Sequence, residues 1–200
     1  MILWAAWRRG TLADRYAQGI FIGLLFSLFA DLALIPAGGL AAGLVLLGAA
    51  HLAFVSACES DAFSTRSWPL STLGALLQAA IFATAWAGLS APLTALVALV
   101  GLLGAIALGA FGARARRLGQ ARGRGAGSAP LAVLGQAALV AAVAFRVLDQ
   151  ALPQALAPLW IQSLHWLGLT LLALSIPWHP QRISDTEGVA GNDDNANAEV

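Results

Sequence analysis

Five ionisable side chains stand within stretches of the sequence that are otherwise apolar. They are Asp31, His51, Arg146, Asp149 and His165. Ionisable groups inside a membrane are costly, so those that occur there usually serve a function. Two carboxylates that face one cavity suit acid/base hydration or hydrolysis, because a dry site keeps one protonated as a donor while the other activates water or stabilises a cation. We therefore treat Asp31 and Asp149 as a candidate catalytic pair.

Each of these residues also has a simpler structural explanation. Arg146 and Asp149 are three positions apart, so on a helix they share a face and neutralise each other. Asp149 also stands where the outer membrane interface is expected, and His51 is able to hydrogen-bond a backbone carbonyl. Composition alone leaves the catalytic and the structural interpretations open.

The composition requires lipid as the solvent for much of the chain. Of its 200 residues, 59% are hydrophobic and only 10% are charged, whereas a soluble domain typically carries about 25% charged residues. Such a chain has too little polar surface to cover itself in water. Cys58 is the only cysteine, which excludes an intrachain disulfide and a cysteine-based metal cage. We expect an integral protein of a bacterial cytoplasmic membrane, with no metal site.

The apolar stretches predict an all-α, polytopic transmembrane bundle. A span needs about 20 mostly apolar residues, and about six stretches qualify: 18–36, 38–57, 70–88, 91–112, 131–152 and 157–178. The transmembrane domain is thus predicted at 18–178. We expect a cytoplasmic or interfacial segment at 1–17, a flexible basic cytoplasmic loop at 113–129, and a disordered acidic tail at 179–200.

The arginines predict the orientation of the spans. Lysine is absent, and with six crossings ten of the 11 arginines fall on one side; these are Arg8, Arg9, Arg15, Arg66, Arg114, Arg116, Arg117, Arg122, Arg124 and Arg182. Basic loops stay cytoplasmic, so both termini are predicted to be inside. Topology explains the arginines of the 113–129 loop better than nucleic-acid binding does. Asp31, Asp149 and His165 are then expected in the outer half of the bilayer, with His51 somewhat deeper.

Several motifs resemble those of a known family. The stretch 23–34, GLLFSLFADLAL, resembles GLLFSLxGDxxL of the lysoplasmalogenase-like (YhhN) membrane proteins. The stretch 43–54, GLVLLGAAHLAF, is similar to the GxxxFxxAHxxY that follows in that family. Residues 145–152, FRVLDQAL, are similar to LFxxSDxxL, and 165–175 stands where the family has an aromatic pair and a final span. The resemblance covers roughly residues 8–178.

The resemblance implies an enzyme that cleaves the vinyl-ether bond of lysoplasmalogens. The products are a fatty aldehyde and a glycerophospho-ethanolamine or -choline, and no metal or organic cofactor is needed. On this basis Asp31 and Asp149 are the expected acid/base pair, and His51 orients one of them or a water molecule. Arg146 and His165 are expected to bind the substrate, Arg146 through its phosphate. The expected partners are the lysophospholipid substrate and membrane lipids.

Departures from the family pattern keep other interpretations open. Ala30, Leu148 and Phe54 replace a Gly, a Ser and a Tyr of the motifs, and the Lys-Pro motif and a tyrosine in the middle spans are absent. These changes favour a catalytically silent relative with a structural or lipid-binding role. A proton-coupled carrier using Asp31, Arg146 and His165, or a haem or metal site between His51 and His165, are further alternatives. The oligomeric state stays open.

Overall fold

The computed structural model describes residues 1–9, 14–35, 38–59, 68–85, 88–121, 127–151 and 157–177. Within these ranges the chain is helical and contains no strand. In chain order the helices are α1 Ile2–Arg9, α2 Arg15–Ala33, α3 Leu40–Glu59, α4 Trp68–Ala85, α5 Ala91–Ala121, α6 Ala129–Ala151 and α7 Ala157–Leu174.

The starts of the helices follow directly from the sequence. Helices α4, α5, α6 and α7 each begin one residue before a proline, at positions 69, 92, 130 and 158. Proline is tolerated in a first turn because its missing N–H would have no partner there. Helix α2 is capped instead by Asp14, whose carboxylate accepts a 2.9 Å hydrogen bond from the Tyr16 backbone N–H.

The helices form a polytopic bundle, as predicted. Among the described residues, four helical segments are long and apolar enough to cross a membrane: Arg15–Ala33, Leu40–Glu59, Ala91–Gln120 and Ala129–Asp149. Two shorter apolar segments are Pro69–Thr84 and Pro158–Leu174. The all-helical membrane fold is therefore confirmed, while the count of six spans and the cytoplasmic position of both termini stay predictions.

The bundle is organised around two closely packed helix pairs. Helix α2 packs against α3 and α6 against α7, while α5 contacts both α3 and α6; α4 lies on α5 and α6, and α1 contacts α2 and α7. The α6–α7 contact is close because two glycines meet. A Cβ on Gly135 would lie 2.8 Å from the Gly168 carbonyl oxygen, and a Cβ on Gly168 would lie 2.8 Å from the Gly135 carbonyl oxygen. Small residues allow such approach in lipid.

The basic segment 113–129 differs from the prediction of a flexible loop. Helix α5 continues through Ala121, and α6 already begins at Ala129. Arg114 is buried, with its guanidinium carbon 3.5 Å from the centroid of the Tyr16 ring. Alanine, leucine and arginine favour a helix, and stacking on an aromatic ring stabilises the arginine. Helix α5 is therefore about 46 Å long, which exceeds the roughly 30 Å hydrocarbon layer.

The predicted boundary at residue 17 is also corrected. Helix α2 begins at Arg15, and Tyr16 is fully buried in the bundle. Its hydroxyl lies 2.8 Å from Ser175 Oγ, and Ser175 itself donates to the Leu172 carbonyl. Tyr16 is thus the donor to Ser175, which joins α2 to the end of α7. The tail predicted at 179–200 lies outside the described residues.

Candidate functional site

Asp31 and His165 meet across the interface between α2 and α7. The His165 Nε2 lies 3.2 Å from Asp31 Oδ1, and the two side chains are 5% and 21% exposed, respectively. The geometry is not that of a hydrogen bond, so the contact is a close approach of two polar groups. Asp31 is near the end of α2 and His165 is in the middle of α7. The contact places the two residues at the same level of the bundle, while their predicted position in the outer half of the bilayer stays a prediction.

Arg146 is the arginine of the cluster formed by Asp31, His165 and Asp149. It is half-buried on α6, and its Nη2 donates a 3.2 Å hydrogen bond to Gln162 Oε1 of α7. Both Asp31 and Asp149 lie close enough to attract its charge. Asp149 is one helical turn further along α6, where it shares the face of Arg146. The structure thus brings the two candidate carboxylates to one cation.

A cavity of about 870 Å³ opens beside this cluster. Its charged lining residues are Arg146 and Asp149, and Gln162 also lines it. The remaining lining residues come from the end of α2, the starts of α3, α5 and α7, and the turn between α2 and α3: Leu34, Ile35, Gly38, Gly39, Leu40, Ala41, Ser90, Pro92, Leu93, Leu96, Pro158 and Ile161. The cavity therefore lies at the end of the bundle opposite Arg15 and Arg114.

The first turn of α7, beside the cavity, exposes large apolar side chains. Leu159 is 71% exposed and Trp160 is 72% exposed, between the lining residues Pro158 and Ile161. Tryptophan is enriched where a membrane meets water. We therefore expect the cavity to open beside the lipid boundary.

His51 belongs to a deeper part of the cluster. It is 2% exposed on α3, and its Nδ1 lies 3.1 Å from the amide nitrogen of Gln136 on α6. The same amide nitrogen donates to the Gly104 carbonyl of α5 at 3.3 Å. His51 also lies near enough to His165 for their charges to interact. In the described part of the chain, neither His51 nor the Asp31–His165 pair lines the cavity.

Two glutamines of the site were not found by the sequence analysis. Gln136 and Gln162 contact His51 and Arg146 respectively. Candidate residues were predicted from their charge, and these two glutamines are neutral. Their signal was nevertheless present, because a glutamine within an apolar span must find hydrogen-bond partners inside the protein.

The donor set of the site is suited to proton transfer and to anion binding. Two carboxylates and an arginine supply opposite charges beside an open cavity, and two imidazoles extend the cluster inward. Among the described residues, no group of three or more His, Cys, Asp or Glu side chains is gathered as a metal ion would require.

The fold and the cluster define a polytopic helical membrane protein with an ionisable site inside its spans. A model of the YhhN family matches residues 1–176. The chain belongs to the YhhN family, which is the lysoplasmalogenase-like family. No curated protein and no solved structure matched the chain.

Proposed function

We propose that this protein is a membrane hydrolase that cleaves the vinyl-ether bond of lysoplasmalogens. The observation that carries the proposal is that Asp149 and Arg146 line the cavity, while Asp31, which does not line it, is near enough to attract the charge of Arg146. Membership of the lysoplasmalogenase-like family supports the substrate class. The products are a fatty aldehyde and a glycerophospho-ethanolamine or -choline.

The substrate fits the chemistry of the cavity. A lysoplasmalogen has one phosphate, a polar head group and a single apolar chain. Arg146 is the cation in the cavity lining and is held by Gln162, so it binds the phosphate. The apolar chain of the bound substrate extends from the cavity into the lipid beside Leu159 and Trp160, whose side chains are exposed. A lipid thus reaches the site without leaving the membrane.

Asp31 and Asp149 act as the acid/base pair. A protonated carboxyl delivers a proton to the β-carbon of the vinyl ether, which leaves an oxocarbenium-like cation at the α-carbon. Water attacks the α-carbon and gives its proton to a carboxylate, which also stabilises the cation. The hemiacetal then transfers its hydroxyl proton to the leaving oxygen and collapses to an aldehyde and an alcohol. Overall, one water is consumed.

The histidines support this pair. His165 contacts Asp31 and so orients it toward the reacting carbon. His51 is close to His165 and lies deeper, where it orients water or the Asp31–His165 pair. Both imidazoles act through Asp31 in this scheme, whereas Arg146 acts on the substrate itself.

Aldehyde release from a purified, detergent-solubilised sample tests the proposal. The wild-type protein should release aldehyde from a lysoplasmalogen, but not from the saturated alkyl-ether analogue that lacks the double bond. Asp31→Asn and Asp149→Asn should each lower kcat by about 10²–10⁴-fold. Glu59→Gln, which changes an exposed carboxylate at the far end of α3, is the matched control and should retain activity.

Two results would overturn the proposal. Absence of turnover in a monodisperse, helical wild-type sample would favour a catalytically silent member of the family. Turnover that survives in Asp31→Asn would remove Asp31 from the acid/base pair.

A further inference from the structure

Gln136 connects three helices through one amide group. It lies on α6 with no exposed surface. Its Nε2 is 3.1 Å from His51 Nδ1 on α3 and 3.3 Å from the Gly104 carbonyl oxygen on α5. The amide nitrogen carries two hydrogens, so it has one for each partner.

The Gly104 carbonyl determines which way this amide faces. A backbone carbonyl is only an acceptor, so it requires the nitrogen of Gln136 beside it. With the amide turned over, two oxygens would stand 3.3 Å apart and repel each other. The nitrogen of Gln136 is therefore also the atom that faces His51 Nδ1. Because that nitrogen donates, Nδ1 must accept, and the ring proton of His51 is on Nε2.

The surroundings hold the imidazole in this orientation. A Cβ on Gly104 would lie 3.4 Å from His51 Nε2 and 3.2 Å from Val140 Cγ2, so the backbone of α5 packs closely beside the ring. The Phe54 ring packs edge-on, with its centroid 6.4 Å from that of His51. Rotation of the ring would lose the Gln136 bond within this close packing.

We propose that Gln136 is a positioning residue that fixes His51 as the neutral Nε2–H tautomer. In the proposed hydrolysis, on which this role rests, His51 is then a hydrogen-bond donor through Nε2 and not a base. Gln136 itself touches neither the cavity nor the substrate. The tautomer is a property of the resting protein and is measurable whether or not the hydrolysis is confirmed.

Gln136 provides a donor for two buried acceptors. His51 Nδ1 and the Gly104 carbonyl oxygen both face its amide nitrogen. An apolar residue at position 136 would leave the buried Nδ1 without this donor, which opposes folding. Gln136 is therefore expected to stabilise the bundle as well, and the tautomer of His51 is the readout that a purely stabilising role would not change.

The tautomer can be read by nitrogen NMR of protein labelled with ¹⁵N-histidine. The chain has 3 histidines, and His51→Gln assigns the signals of His51 by their loss. In the wild-type protein, His51 should show an unprotonated Nδ1 and a protonated Nε2. Gln136→Leu should abolish this strict preference. Gln136→Glu, which places an acceptor beside the ring, should move a proton onto Nδ1.

Gln78→Leu is the matched control. Gln78 is another intramembrane glutamine, and its Nε2 donates a 3.0 Å bond to the Val140 carbonyl of α6. Its partner in that hydrogen bond is a backbone carbonyl and not a histidine. Its replacement should leave the His51 spectrum unchanged, even if the thermal midpoint falls.

Kinetics then test the positioning role separately. Gln136→Leu should lower kcat for the lysoplasmalogen by about 10-fold or more, with KM changed less than about twofold, because Gln136 does not line the cavity. A protonated Nδ1 in the wild-type protein, or an unchanged His51 spectrum in both Gln136 variants, would overturn the proposal. A correct tautomer in a wild-type protein without turnover would instead contradict the hydrolase function and leave the tautomer assignment standing.

Discussion

His165 of α7 places its Nε2 3.2 Å from Asp31 Oδ1 of α2, which joins two helices that are 134 positions apart at these residues. Through this contact, Asp31 is part of a cluster of ionisable residues rather than an isolated carboxylate. Asp31 then acts on Arg146, which is held by Gln162 and shares a helix face with Asp149. Deeper in the bundle, His51 lies near His165 and is hydrogen-bonded to Gln136.

The Asp31–His165 contact predicts that these residues act as a unit. His165→Gln should lower kcat because it removes the imidazole that orients Asp31. The double variant Asp31→Asn/His165→Gln should be no slower than Asp31→Asn alone, since residues in contact are not additive. Aldehyde-release kinetics of the four proteins measure this directly. Fully multiplicative losses would show that the two residues act independently.

Arg146 is predicted to contribute mainly to substrate binding. Arg146→Gln removes the cation of the cavity lining and should raise KM for the phosphate-bearing substrate about 10–100-fold, because a hydrogen bond to a charged group contributes roughly 1.5–3 kcal/mol. Arg146→Lys keeps the charge but loses the fork geometry, so its effect should be smaller. The exposed Arg116 of α5 offers a control in Arg116→Gln. A fall in kcat at constant KM would contradict a binding role.

The glycine pair between α6 and α7 is predicted to be intolerant of any side chain. Gly168→Ala places a Cβ 2.8 Å from the Gly135 carbonyl oxygen, so the helices must separate. Overpacking of this kind costs about 1–3 kcal/mol, and the thermal midpoint in detergent should fall. Gly119→Ala is the matched control, because nothing lies within 4 Å of its Cβ position on α5. That variant should be neutral or slightly stabilising, and equal effects at both sites would contradict the packing argument.

The distribution of arginines predicts which side of the membrane carries the cavity. The cavity lies at the end of the bundle away from Arg114 and Arg116 and should therefore face outward. In a Cys58→Ser background, Ser90→Cys should react with a membrane-impermeant maleimide in intact cells. Arg116→Cys should react only after permeabilisation. The opposite pattern would place the cavity on the cytoplasmic side.

Much of the fold could be predicted from the sequence because a bilayer restricts which backbone structures are stable. Apolar stretches of sufficient length must become helices, since no other structure satisfies the backbone inside a bilayer. Prolines at 69, 92, 130 and 158 marked the first turns of four helices. The predicted loop at 113–129 was wrong up to Ala121, because Arg114 stacks on Tyr16 and this contact is not visible in the sequence of α5.

The sequence by itself determined the class of this protein and the identity of its costly intramembrane groups. Charge is so unfavourable in hydrocarbon that Asp31, His51, Arg146, Asp149 and His165 stood out by type alone. The tertiary structure decided how they are grouped. It placed His165 on Asp31, both carboxylates near Arg146, and Gln136 on His51. Neutral amides carry no charge penalty to mark them, and contacts between distant helices depend on how those helices pack, so Gln136 and Gln162 emerged only from the folded bundle.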